Sequence, residues 1–126
     1  MDQRGFARSV AERTGLSREE SADVTWAVLE GLADQLSGGE AKRLATAFPE
    51  LGEELQARRR PKKEARPIRL QEFFRQVRER TGLNDNDVRL GSGAVLAQLR
   101  EVAGEEEYGH LVGQLPSEYA GLAEAA

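Results

Sequence analysis

Displaced along itself by 67 positions, the chain lays residues 6–59 over 73–126 without a gap, and 16 of the 54 pairs are identical. The identities cluster. Phe6, Arg8, Val10, Glu12, Arg13, Thr14, Gly15 and Leu16 meet Phe73, Arg75, Val77, Glu79, Arg80, Thr81, Gly82 and Leu83. Ala27, Val28, Leu29 and Leu32 meet Ala94, Val95, Leu96 and Leu99, and further on Glu40, Leu44, Pro49 and Leu55 meet Glu107, Leu111, Pro116 and Leu122. Self-similarity at a fixed period marks a supersecondary unit that stacks against its copy to bury a common core. The chain therefore reads as a duplication within one domain, residues 1–126. Repeat one is 4–57, a linker is 58–69, and repeat two is 70–126. A copy of this length alone lies near the lower limit of independent stability.

Each copy punctuates itself as helices. Phe6 and Val10 stand one turn apart on one face, and Gly15 is placed to stop that helix in a left-handed conformation. Ser17 with Glu20 forms a capping box for the next helix. There Val24, Val28, Leu32 and Leu36 recur every four residues, with Leu29 widening the stripe. Ser37-Gly38-Gly39 reads as the turn that ends it, and Ser37 can pair with Glu40 to start a short third helix carrying Leu44. Pro49 fits the first position of a fourth helix carrying Leu51 and Leu55. The second copy repeats the plan: Gly82 as stop, Asn84 as cap, a long helix to about Ala103, then Gly104 and Pro116. No segment alternates as a strand does. The expected fold is all-α, two tandem four-helix repeats forming one pseudo-two-fold-symmetric bundle. Its shared core would hold Phe6, Val10, Val28, Leu29, Leu32 and Leu44 with their counterparts Phe73, Val77, Val95, Leu96, Leu99 and Leu111.

The copies differ most in size at Val24-Thr25-Trp26 against Gly91-Ser92-Gly93. Two glycines inside a helix each cost up to about 1 kcal/mol relative to alanine. A close approach justifies that cost, so Trp26 is expected to pack between the repeats on Gly91 and Gly93.

Charge follows the same division. Residues 1–57 carry eleven acids and six bases, 58–69 one acid and seven bases, and 70–126 ten acids and five bases. The linker residues Arg58, Arg59, Arg60, Lys62, Lys63, Arg66 and Arg69 form a candidate contact patch, because clustered cations neutralise phosphates and release counterions. Against that reading stand the acidic flanks and the lack of any aromatic residue for base stacking in the segment.

Constellations for chemistry are few. With no cysteine and one histidine, thiolate catalysis and thiolate metal sites are excluded, and the chain suits a reducing compartment. Glu107-Tyr108-Gly109-His110 has the Glu-x-x-His spacing of di-iron bundles, but such a site needs a second motif and further glutamates. The repeat places Arg43 opposite His110. Asn84-Asp85-Asn86-Asp87 opens like a calcium loop but continues with Arg89 and Leu90 where an oxygen ligand and glycine are required. It reads as a helix cap. Neither glycine-rich spot follows a strand or precedes a Lys-Ser or Lys-Thr pair, so neither is a phosphate loop. No catalytic residue, metal or cofactor is expected. No apolar run approaches a membrane span, and Met1-Asp2-Gln3-Arg4 does not open a signal peptide. The expected location is the cytoplasm.

The repeated F-x-R-x-V-x-E-R-T-G-L, the Ser37-Gly38-Gly39-Glu40 turn, Phe48-Pro49 and Leu115-Pro116-Ser117-Glu118-Tyr119 resemble a bacterial helical family of unknown function, DUF2267, in which the unit occurs twice. The resemblance spans about residues 4–123. It implies a compact, cytoplasmic, all-helical protein and carries over no catalytic residue or ligand.

The function expected on this basis is a non-enzymatic helical module with a structural or regulatory role, binding an unidentified protein partner or itself. The alternative is a nucleic-acid-associated regulator working through Arg58–Arg69.

Overall fold

The computed structural model describes residues 3–48, Gly52 and residues 65–125. Arg58, Arg59, Arg60, Lys62 and Lys63 lie outside the described residues, as does most of the segment expected to form repeat one's fourth helix. The described residues form six α-helices and two 3-10 turns, with no strand. The helices are α1 (Gln3–Thr14), α2 (Arg18–Gln35), α3 (Gly38–Ala47), α4 (Leu70–Thr81), α5 (Asp85–Ala103) and α6 (Glu105–Gly113). The 3-10 turns are Ser117–Tyr119 and Ala123–Ala125. Displacing α1 by 67 gives α4 to the residue, and α2 and α3 give α5 and α6 to within one residue.

The twice-written Thr-Gly-Leu is a helix terminator. Thr14 Oγ1 donates to the Val10 carbonyl (2.9 Å) and accepts from Leu16 N–H (3.1 Å). Thr81 does the same with Val77 and Leu83, at 2.8 and 3.2 Å. Gly15 and Gly82 then turn the chain at φ +76° and +74°, where a Cβ would be strained. Ser17 completes its capping box: its Oγ accepts from Glu20 N–H, and Glu20 Oε1 accepts from Ser17 N–H. Those bonds hold the Glu20 carboxyl below its ordinary range, the one from the Ser17 backbone being the stronger influence. Asn84 caps α5 through Asp87 N–H (2.8 Å).

Two expectations change. Ser37 starts α3 with Glu40 as expected, its Oγ accepting from Glu40 N–H, but Gly38 and Gly39 are the first residues of that helix and not a turn; α2 has already ended, at an extended Leu36. Beyond Pro116 the chain makes 3-10 turns rather than a fourth α-helix.

All twelve expected core residues are buried in one hydrophobic cluster. The long helices α2 and α5 cross at its centre. α1 packs on both α2 and α5, while α4 packs more extensively on α2 than on α5. Each half thus lays its first helix across the long helix of the other. Two glycines permit close approaches between the halves. A Cβ on Gly31 would stand 2.7 Å from the Phe73 ring, and one on Gly91 would stand 2.8 Å from Val24 Cγ2. Val24 and Gly91 are themselves 67 positions apart.

The end of the expected linker is not free. Ile68 N–H donates to Gln35 Oε1 (3.0 Å), Gln35 Nε2 donates to Tyr119 Oη (3.1 Å), and Tyr119 O–H donates to the Ile68 carbonyl (2.9 Å). Glu118 Oε1 accepts from Leu70 N–H and from Arg69 Nε. Among the described residues, no helix is long and apolar enough to cross a membrane.

Candidate functional site

Reciprocity governs the polar contacts. Arg43 and His110 occupy equivalent positions, as do Glu40 and Glu107. Arg43 grips Glu107 with two hydrogen bonds of 2.9 and 3.1 Å, and His110 Nε2 lies 2.8 Å from Glu40 Oε2. Arg43 and His110 therefore each meet the glutamate of the other half. The Arg43 bonds hold the Glu107 carboxyl below its ordinary range. Farther along, Arg13 Nε reaches Gln98 Oε1 at 3.4 Å, and Arg80 crosses to α2, 3.8 Å from Glu30 and 3.5 Å from Asp34.

The Glu-x-x-His pair is thus turned outward to separate partners instead of converging. Among the described residues, no three His, Asp or Glu side chains group to hold a metal ion. The cleft beside them, floored by Leu36, Leu44, Leu99 and Leu111, has an interior of about 10 Å³, room for about one water. The buried hydroxyls of Ser21, Ser92 and Tyr108 have no hydrogen-bond partner among the described residues. Tyr108 instead lies beneath the Arg100 guanidinium, 5.6 Å from the ring centre, and burial pushes its hydroxyl above the ordinary tyrosine range.

Among the basic-patch residues, Arg66 is exposed. Arg69 is bonded to Glu118 at 3.0 Å and lowers that carboxyl's pKa, with Leu70 N–H assisting.

The feature that sequence reading did not reach is a groove between α1 and the start of α2. Arg4, Ala7, Arg8, Arg18, Thr25 and Trp26 line it, and it encloses about 330 Å³. Gly91 is met by Val24 rather than by Trp26. Two residues on a helix differ by about 200° in direction, so Val24 and Trp26 cannot face one neighbour. Trp26 is half-buried at the groove, and Gly93 is buried within α5. Among the described residues, Arg4, Arg8 and Arg18 have no carboxylate within 4 Å; even Glu12, one turn from Arg8, forms no ion pair with it.

The equivalent face of the second half is lined by Gln71, Phe74, Arg75, Arg78, Asp85 and Arg89. Phe74, standing where the first half has Ala7, is buried, with Arg89 4.9 Å above its ring. Glu72 and Glu79 both bind Arg75, and Asp85 binds Arg78. The Glu72 carboxyl is held below its ordinary range chiefly by its bond from Arg75.

A family model described as "Uncharacterized conserved protein (DUF2267)" matches residues 3–122. The chain belongs to the DUF2267 family. No curated protein matches it. The DUF2267 match runs through both halves and through the basic segment between them, so neither groove lies outside the family's span. The signal for the groove was present in the DUF2267 chain itself, in the positions where its halves differ: Gly5 for Glu72, Ala7 for Phe74, Arg18 for Asp85 and Trp26 for Gly93.

Proposed function

We propose that this chain is a non-enzymatic interaction module: two helical units of common origin, related by a pseudo-two-fold axis and fused into one domain that binds protein. Reciprocal bracing supports this reading best. Glu107 is spent on Arg43, and the chain's one histidine on Glu40, in contacts between the halves. The matching helix bounds and the crossed seating of α1 and α4 support the common origin. A reducing, cytoplasmic setting in a bacterium fits the cysteine-free sequence and the family resemblance.

Affinity capture with the full chain from native lysate, alongside light scattering of the purified chain, tests the module. A specific protein partner or a defined self-assembly is expected. The nucleic-acid alternative is tested with mixed-sequence DNA and RNA at about 0.15 M ionic strength. Affinity no tighter than micromolar, unchanged when Arg58, Arg59, Arg60, Lys62 and Lys63 become serine, is expected. Tighter binding that those substitutions abolish would replace the protein-binding reading.

A further inference from the structure

The two grooves differ in one respect that bears on partners: the second holds carboxylates that pair with its arginines, and among the described residues the first holds none. In the second, Glu72, Glu79 and Asp85 satisfy Arg75 and Arg78, and the Phe74 ring lies under Arg89. In the first, Gly5, Ala7 and Arg18 replace Glu72, Phe74 and Asp85. At those positions two carboxylates and the Phe74 ring are lost, Trp26 stands where the second half has Gly93, and the groove encloses about 330 Å³ against about 500 Å³ in the second.

We propose that the α1–α2 groove docks an acidic segment of a partner protein that carries an aromatic side chain among its carboxylates. The proposal rests on the protein-binding reading above and specifies its chemistry. Arg4 and Arg8 stand one turn apart on α1, and Arg18 faces them from the start of α2. Carboxylates spaced along an extended peptide can pair with all three, since arginine presents a planar fork matched to carboxylate. The aromatic side chain enters over Ala7, where the missing ring leaves space, and meets Trp26 and the guanidinium faces. Thr25 belongs to the wall, but its hydroxyl is held by the Ser21 carbonyl at 2.7 Å, so recognition falls to the arginines and the indole. An acidic peptide is favoured over nucleic acid because carboxylates and a phenyl ring are what the same helix pair holds in its other copy.

Trp26 is the chain's one tryptophan, so its emission reports directly on the groove. A peptide of glutamate and aspartate around a central phenylalanine is titrated into the full-length chain. Saturable binding with a shift in Trp26 emission is expected, weakened about tenfold or more by Arg8→Glu or Arg4→Glu and by several-fold higher salt. Replacing the peptide's phenylalanine by alanine weakens binding, and Arg75→Glu, in the other groove, leaves it unchanged. Ala7→Phe, which installs the second half's ring, blocks binding while the chain keeps its helical circular-dichroism signal. Absence of saturable binding, or binding indifferent to both arginine substitutions, overturns the proposal. So does tighter binding of an RNA or DNA oligonucleotide through Arg4 and Arg8 under the same salt. A large gain in peptide affinity when Glu50, Glu53 and Glu54 become glutamine would assign the groove to the chain's own acidic segment and overturn it too. If a partner captured from lysate is still bound by Arg8→Glu, the groove proposal fails while the protein-binding reading stands.

Discussion

The α1–α2 groove and its counterpart on α4–α5 are built on the same helix pair, yet among the described residues the three arginines of the first meet no carboxylate, whereas in the second Arg75 and Arg78 are paired and Phe74 is buried. The difference teaches where selection for folding ends and something else begins. Helix bounds, terminators and core residues are shared between the halves. The divergence gathers at the solvent edge of the first helix and at the start of the second. Folding alone favours the second arrangement, since burying a phenylalanine and pairing each cation both stabilise. The first half forgoes that stabilisation.

Phe74→Ala puts the largest strain on this comparison. The ring is 6% exposed, and truncating a buried phenylalanine typically costs about 3–5 kcal/mol. A loss near the lower end is expected in urea denaturation, because the site is at the surface edge of the core. A loss under about 1 kcal/mol would mean that the ring is not packed into the core of the second half, and the contrast with Ala7 would vanish.

The halves also differ in size at their crossing. Val24 sits on Gly91, the same position in each half, so the pair is large on one side and absent on the other. Gly91→Val places two valines face to face, and overpacking of this kind costs about 1–3 kcal/mol. Val24→Ala in the same chain relieves it, so the double variant is less destabilised than the two single losses together. Strict additivity, or stabilisation by Gly91→Val through helix propensity, would show that the helices do not approach so closely in solution.

Much of this was legible in one sequence because helix grammar is local. Ser17-x-x-Glu20, Asn84 and Thr-Gly-Leu state their own caps and stops within four residues, and the four-residue stripe of α2 names its buried face. A face does not name its partner, however. Nothing in the spacing of Phe6 or Phe73 says that α1 lies on α5 and α4 on α2, or that Phe73 requires Gly31. The Gln35–Ile68–Tyr119 clasp joins residues 33 to 84 positions apart. Such contacts belong to the assembled core. The groove was hidden for another reason. Identities between the repeats drew attention to the skeleton, whereas the site lies in their differences.

The clasp is a third asymmetry. Tyr119 and Gln35 correspond to Gly52 and Val102 in the other half, and Val102 is 39% exposed where Gln35 is buried. Among the described residues, Gln35 and Tyr119 tie Ile68 to the long helix of the first half. Tyr119→Phe leaves Gln35 Nε2 and the Ile68 carbonyl without this partner, at a cost of about 1–2 kcal/mol. Burial pushes the Tyr119 hydroxyl up to about 12, partly opposed by the Gln35 bond. A group whose pKa is raised by folding stabilises below its unfolded value, near 10 for tyrosine, and loses that contribution as pH rises through its folded value. Chemical denaturation at intervals from pH 9 to 12 should therefore show stability falling above about pH 10. Tyr119→Phe should flatten that fall, leaving the share due to Tyr108. An unchanged slope in the variant would mean that the clasp opens before the hydroxyl ionises.

The smallest expected effect separates the grooves most cleanly, because it compares the same two residue types at the same spacing. Arg75 and Glu79 form an ion pair one turn apart on α4, and Arg8 and Glu12, their counterparts on α1, do not. Glu72 explains the difference: it holds Arg75 from the preceding turn, whereas Gly5 leaves Arg8 unsupported. Exposed pairs contribute little on their own and more when several charges form a network. A double-mutant cycle on Arg75 and Glu79, read by thermal midpoint at low salt, should therefore show a small favourable coupling. It should shrink in Glu72→Gln and disappear at high salt. The same cycle on Arg8 and Glu12 should show none, and Arg8→Ala should leave the midpoint where it was. Equal coupling on the two helices would mean that Glu12 already neutralises Arg8 in solution. The first groove would then lack the unmatched charge that separates it from the second.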